Sequence, residues 1–186
     1  MKRIIVFSLF ISLFTVTGFA QKFYTKTGKI SFDATTSGSP EKIEGVNRTS
    51  TCVIDAQNGN MQFAVLMKGF EFERALMEEH FNENYVESHK FPKAEFKGAI
   101  TNNAAVNYTK DGTYPVKVKG KLTIHGETKE VETSGTVTVA GGKVSAKADF
   151  PVTLADFKVS IPGLVADKVA KVARIKVECA LELLKS

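Results

Sequence analysis

The sequence predicts an all-β chain of eight antiparallel strands in one domain, and three observations predict it. Apolar and polar residues alternate with period two over most of the chain, turn signals separate the alternating runs, and 186 residues suit a single domain. Apolar residues make up 43% and charged ones 24%, which excludes a disordered chain, a collagen-like repeat and a multi-span membrane protein. Phe occurs 14 times and Trp never, so the aromatic surface is mostly without polar tips.

The first twenty residues stand apart from the strand pattern. Lys2 and Arg3 precede an apolar run from Ile4 to Val16, and Gly18-Phe19-Ala20 places small residues third and first before a cut between Ala20 and Gln21. These are the parts of a secretory signal peptide. The run is shorter than the about 20 apolar residues of a membrane span, and no cysteine lies near it for lipid attachment. The expectation is a leader over 1–20 and one mature domain over 21–186, in the periplasm or outside the cell. Losing Lys2 and Arg3 lowers the formal net charge from +5 to +3. That mild excess, on lysines spread along strands, does not point to nucleic acid.

The strands follow in order. Ile30 and Phe32 mark the first, and Glu41 to Asp55 the second. The Asn58-Gly59 turn leads into Met61, Phe63, Val65 and Met67, and Ala94, Phe96, Gly98 and Ile100 make the fourth. Tyr114 to His125 is the clearest: Tyr114, Val116, Val118, Gly120, Leu122 and Ile124 share one face, while Lys117, Lys119 and Lys121 share the other. A turn expected at Gly126-Glu127 opens Lys129 to Val139, and Gly141-Gly142 opens a strand with Val144, Ala146, Ala148, Phe150, Val152 and Leu154 on one face. The last strand, Val172 to Leu184, turns Ile175, Val177, Cys179, Leu181 and Leu183 inward. Two insertions break the rhythm. Leu76, Met77, Phe81 and Tyr85 recur at helical spacing within 73–88, and Ile161 to Lys171 reads as another short helical turn.

Eight such strands must hide their edges, by closing into an up-and-down barrel or by packing as a two-sheet sandwich, and the pattern leaves both open. The inner positions are nearly all apolar, so any enclosed ligand would be apolar too. Candidate lining residues are Phe63, Met67, Met77, Phe81, Phe96, Val118, Leu122, Phe150, Val152, Val177 and Leu181. For any one of them packing is the default; together their Phe and Met content favours a cavity. The Met77, Phe81, Tyr85 stripe is expected to cover its opening.

The residues point away from an enzyme. His80, His89 and His125 show no metal-ligand spacing, and no nucleophile elbow or phosphate-binding glycine loop is present. No metal or other cofactor is therefore expected. His125, on the polar face, reads as a turn residue. Cys52 and Cys179 lie in strands near the two ends of the mature chain, where a bridge needs α-carbons within about 7 Å and buried free thiols are common. Asn47-Arg48-Thr49 and Asn107-Tyr108-Thr109 are sequons that matter only in a glycosylating host.

Phe91-Pro92-Lys93-Ala94-Glu95-Phe96, followed by Gly120-Lys121-Leu122-Thr123-Ile124-His125-Gly126-Glu127-Thr128-Lys129, resembles the YceI-like family of exported bacterial proteins. Gly28-Lys29-Ile30-Ser31-Phe32 and Asp156-Phe157 fit as well, and the resemblance spans nearly all of 23–183. It implies an all-β, eight-stranded antiparallel lipocalin-like barrel with one or two short helical insertions. It also implies a non-enzymatic binding protein whose tunnel takes a polyisoprenoid or fatty-acid-like lipid. One departure concerns the mouth. The family often places Arg and His three apart before the aromatic-Pro strand, whereas Arg74 and His80 are six apart here. The alternative function is an envelope interaction protein with a filled barrel. Nothing in the sequence sets the oligomeric state, and a homodimer is one arrangement open to it.

Overall fold

The computed structural model describes residues 21–184, so the expected leader and its Ala20 lie outside the described residues. Nine strands follow in order: β1 (Lys22–Thr35), β2 (Glu44–Asp55), β3 (Asn60–Leu66), β4 (Glu71–Phe72), β5 (Lys93–Ile100), β6 (Gly112–Ile124), β7 (Glu127–Ala140), β8 (Lys143–Thr153) and β9 (Val169–Leu183). They pair in the order β1-β9-β8-β7-β6-β5-β3-β2, and β2 pairs back with β1. Eight antiparallel strands thus close a barrel, and the two-residue β4 hangs on the start of β2. Closure gives each barrel strand two neighbours, which removes the open edges a sandwich would keep. The eight expected strands are the eight barrel strands.

Period-two alternation explains the wall. On β6, Val116 and Val118 are buried while Lys117, Lys119 and Lys121 are exposed. The alternation breaks where two consecutive exposed residues occur, at Lys26-Thr27 on β1 and Arg48-Thr49 on β2. At both places the β1–β2 register shifts, which marks bulges that bend the strands and restore the inward phase. Asn47 holds the second bulge. It is fully buried, its Oδ1 accepts from the Thr49 N–H at 2.8 Å and the Thr49 hydroxyl at 3.1 Å, and its Nδ2 donates to the Leu66 carbonyl at 3.0 Å. The first sequon is therefore a bulge clasp out of reach of solvent, whereas Asn107 of the second is exposed.

The insertions lie at one end of the barrel. Helix α1 (Ala75–His80) runs into a single wide turn, Phe81–Tyr85, closed by a Val86 N–H bond to the Phe81 carbonyl at 3.0 Å. Short 3-10 turns at Leu154–Phe157 and Gly163–Val165 occupy the β8–β9 connection. The first of these begins at Leu154, which the alternation had assigned to the strand. No helix among the described residues is long and apolar enough to cross a membrane.

Candidate functional site

The bore divides into two halves at one level. In the far half, Ile54, Val137, Val139, Val144, Cys52 and Cys179 are at most 3% exposed and form one dense cluster with Phe23, Ile100, Val106, Val116, Val118 and Leu181. The loop after β5 shuts that end. It drives Val106 inward and stacks Tyr108 on Phe23, with ring centroids 5.5 Å apart. Burial and the charge of Asp55 push the Tyr108 hydroxyl up to about 12.

The near half is hollow. A cavity of about 470 Å³ runs from the rim down to Met61, Phe63, Phe96, Val118 and Val177, within the range of small-molecule sites. Its wall is apolar through Ile30, Val65, Leu122, Phe150, Val152 and Ile175. The charged side chains that reach it sit mainly at the rim, where Glu41, Arg74, His80 and Lys168 line the opening. Arg74 pairs with Glu41 at 2.6 Å, joining the start of α1 to the β1–β2 loop. An apolar wall of this kind gives water few hydrogen-bond partners and favours apolar guests.

A roof of aromatic rings covers part of the opening. Phe81 stacks on Phe32 at 5.2 Å and meets Phe70 and Phe72 at 5.4 and 5.0 Å. The wide turn keeps Phe81 and Tyr85 facing the cavity, while Leu76 stays 60% exposed at its lip. Burial raises the Tyr85 hydroxyl above its ordinary value.

The roof is tied down at its far end by His125. Both residues of the β6–β7 turn are left-handed, His125 at φ 51° and Gly126 at φ 76°, so the turn falls one residue earlier than the Gly126-Glu127 expected. Two positive φ angles make the tight hairpin that matches strand twist, and glycine tolerates the second at no steric cost. The shift takes His125 off the polar face. Its ring meets Phe91 edge-on at 4.6 Å, its Nδ1 donates to the Phe157 carbonyl at 3.1 Å, and its Nε2 faces the Glu87 carboxylate at 2.9 Å. Lys90 and then His125 hold the Glu87 carboxyl below its ordinary range. One imidazole thus links the segment after the roof, the β6–β7 turn and the β8–β9 connection. No sequence signal announces it, since its partners are 38 and 32 residues away.

Ten of the eleven candidate lining residues come together on this cavity: Phe63, Met67, Met77, Phe81, Phe96, Val118, Leu122, Phe150, Val152 and Val177. Leu181 does not. It is 5% exposed within the far cluster, below the cavity floor, because β9 descends into the filled half beyond Val177. Leu183, expected inward, is 48% exposed past the end of that cluster. Cys52 and Cys179 are free and buried in the filled half. The neighbouring Cys179 thiol and burial push the Cys52 thiol up, which leaves it a poor nucleophile. Among the described residues no three His, Cys, Asp or Glu side chains gather as a metal site would require.

A closed antiparallel barrel with an apolar pocket open at one end is the architecture of a small-molecule binding protein. The chain belongs to the YceI-like domain family, whose model matches residues 10–181. Its fold is similar to that of BcnA from Burkholderia cenocepacia, with a TM-score of 0.68 and 21% identity over 85% of this chain and 96% of that one. A polyisoprenoid binding domain from Saccharophagus degradans superposes with a TM-score of 0.76 and 11% identity, over 89% of this chain and 99% of that one. The YceI protein of Campylobacter jejuni gives 0.61 and 16%, over 81% and 90%. Among curated proteins no significant sequence relative was found.

Proposed function

We propose that this is an exported binding protein that sequesters or carries a long-chain apolar lipid, of polyisoprenoid or fatty-acyl type, and catalyses no reaction on it. One observation carries the reading: an apolar cavity of about 470 Å³ inside a closed barrel, with charged groups gathered at its rim. An apolar chain gains about 0.8 kcal/mol per methylene removed from water, so a pocket with this wall binds by area alone. Family membership and the polyisoprenoid binding domain among its structural neighbours support the lipid class. The filled-barrel alternative describes the far half only; the near half has room for a guest.

Export rests on the leader pattern of residues 1–20, and cleavage before Gln21 would deliver the barrel to the periplasm or the medium. A carrier there would keep an insoluble chain out of water between membranes. Native mass spectrometry of protein from its own host, followed by organic extraction, tests the reading. The expected result is a mature mass beginning at Gln21 with a lipid of one chemical class bound. A protein that never carries or takes up a lipid would end the carrier reading, and a mass retaining residues 1–20 would end the export reading.

A further inference from the structure

The boundary between the hollow and filled halves is built around one ring. Phe96 sits on β5, opposite Phe63 on β3 and Leu122 on β6. It faces the cavity and also packs on the far cluster. Its ring leans toward the filled half, over Gly98 two residues deeper on the same face and Gly120 directly across on β6. A β-carbon placed on Gly98 or Gly120 would lie 2.6 or 2.7 Å from the Phe96 Cζ. The paired glycines are therefore a seat, and only the absence of two side chains lets the ring lie there. Val118 and Thr133 complete the floor beside it, and Ile100, Val116 and Val137, at most 4% exposed, do not line the cavity.

We propose that Phe96, seated on the Gly98–Gly120 pair, is the stop that sets how long a chain the tunnel accepts. This rests on the lipid-binding reading above and adds a length rule to it. A tail entering from the rim runs down the apolar wall and ends against the Phe96 ring, with its polar end left among Glu41, Arg74, His80 and Lys168. Each methylene that still fits adds affinity, and the first that does not must stay in water or displace a packed side chain. Affinity therefore rises with chain length to a maximum and then stops rising.

The test uses the delipidated mature protein with two named series, straight-chain acids from decanoic to eicosanoic and the prenols geraniol, farnesol and geranylgeraniol. Wild type is compared with Phe96→Ala and with the milder Phe96→Leu, which keeps an apolar filler if alanine costs too much stability. The expected result is a length optimum in wild type that moves to longer chains by about two methylenes in Phe96→Ala and by less in Phe96→Leu. Two further buried methylenes correspond to about a tenfold gain for the longer acid. Tight binding with the same optimum in all three proteins overturns the stop while leaving the lipid reading intact. Failure of every chain to bind wild type overturns the lipid reading, and the length rule falls with it.

Discussion

The two halves of the barrel share one wall and one alternating pattern, yet one is filled and the other hollow. The filled half is built chiefly from small branched side chains, Val116, Val137, Val139, Val144 and Ile54, with the two cysteines. The hollow half mixes short side chains, Val65, Val152 and Val177, with longer ones, Phe63, Met67, Phe96, Leu122 and Phe150. Hydrophobicity does not separate them. What differs is what closes each end. Val106 and Tyr108 from one loop enter the far end and complete its packing, whereas the near end is roofed by Phe70 and Phe81 lying across it. Small branched residues interdigitate to crystal-like density. A wall that meets only a roof, with no loop side chains driven into it, keeps a bore.

The largest effect that would sharpen this contrast is a charge placed in each half. Val137→Asp puts a carboxylate into a site 1% exposed, at a cost of several kcal/mol, and is expected to leave the protein unfolded by circular dichroism. Leu122→Asp faces the cavity, where water can follow the charge. It is expected to stay folded with a lower melting temperature and to lose apolar ligands. Equal unfolding of both would break the distinction between the halves.

The roof gives the next effect. Phe81→Ala removes a ring in contact with Phe32, Phe70 and Phe72, and about 3 kcal/mol of stability, the low end for a buried Phe, should go with it. Ligand release should become faster, measured by stopped-flow displacement. An unchanged release rate would make the roof packing alone.

The smallest effect is electrostatic and spread over both halves. Glu87, Glu127, Asp149 and Glu178 all have pKa values lowered in the fold, chiefly by hydrogen bonds from Lys90, Lys158, Arg174 and Lys147 respectively. A carboxylate with a lowered folded pKa adds stability above its unfolded value and loses it as pH falls through the folded one. Melting temperature is therefore expected to hold near neutrality and decline below about pH 4.5, the ordinary value for Glu, by an amount that shrinks in high salt. A melting temperature that rises on acidification would contradict these pairings.

Much of this was legible in the sequence, because an antiparallel wall needs only period two, and that period is local. Val118 and Lys119 declare their faces by their neighbours. The level at which the bore stops being hollow was not legible. Leu122 and Leu181 read identically, as leucines on the inner face of an amphipathic strand, and only the closure of the sheet puts one in the cavity and the other beneath its floor. Long-range partners were equally hidden. His125 looks like a polar residue before a glycine until Glu87 and Phe157 are brought to it. Asn47 looks like a sequon until the bulge places its amide against Thr49 and Leu66.

The hollow half also has a volumetric consequence. Void space inside a folded protein is eliminated when the chain unfolds, so pressure favours the unfolded state in proportion to it. Whatever part of the bore of about 470 Å³ water leaves unfilled adds to the unfolding volume change of the empty barrel, and such changes run to about −100 mL/mol. A lipid that fills the bore abolishes that void without altering the wall. The same barrel is therefore soft to compression when empty and stiff when loaded, and its response to pressure reads out its cargo.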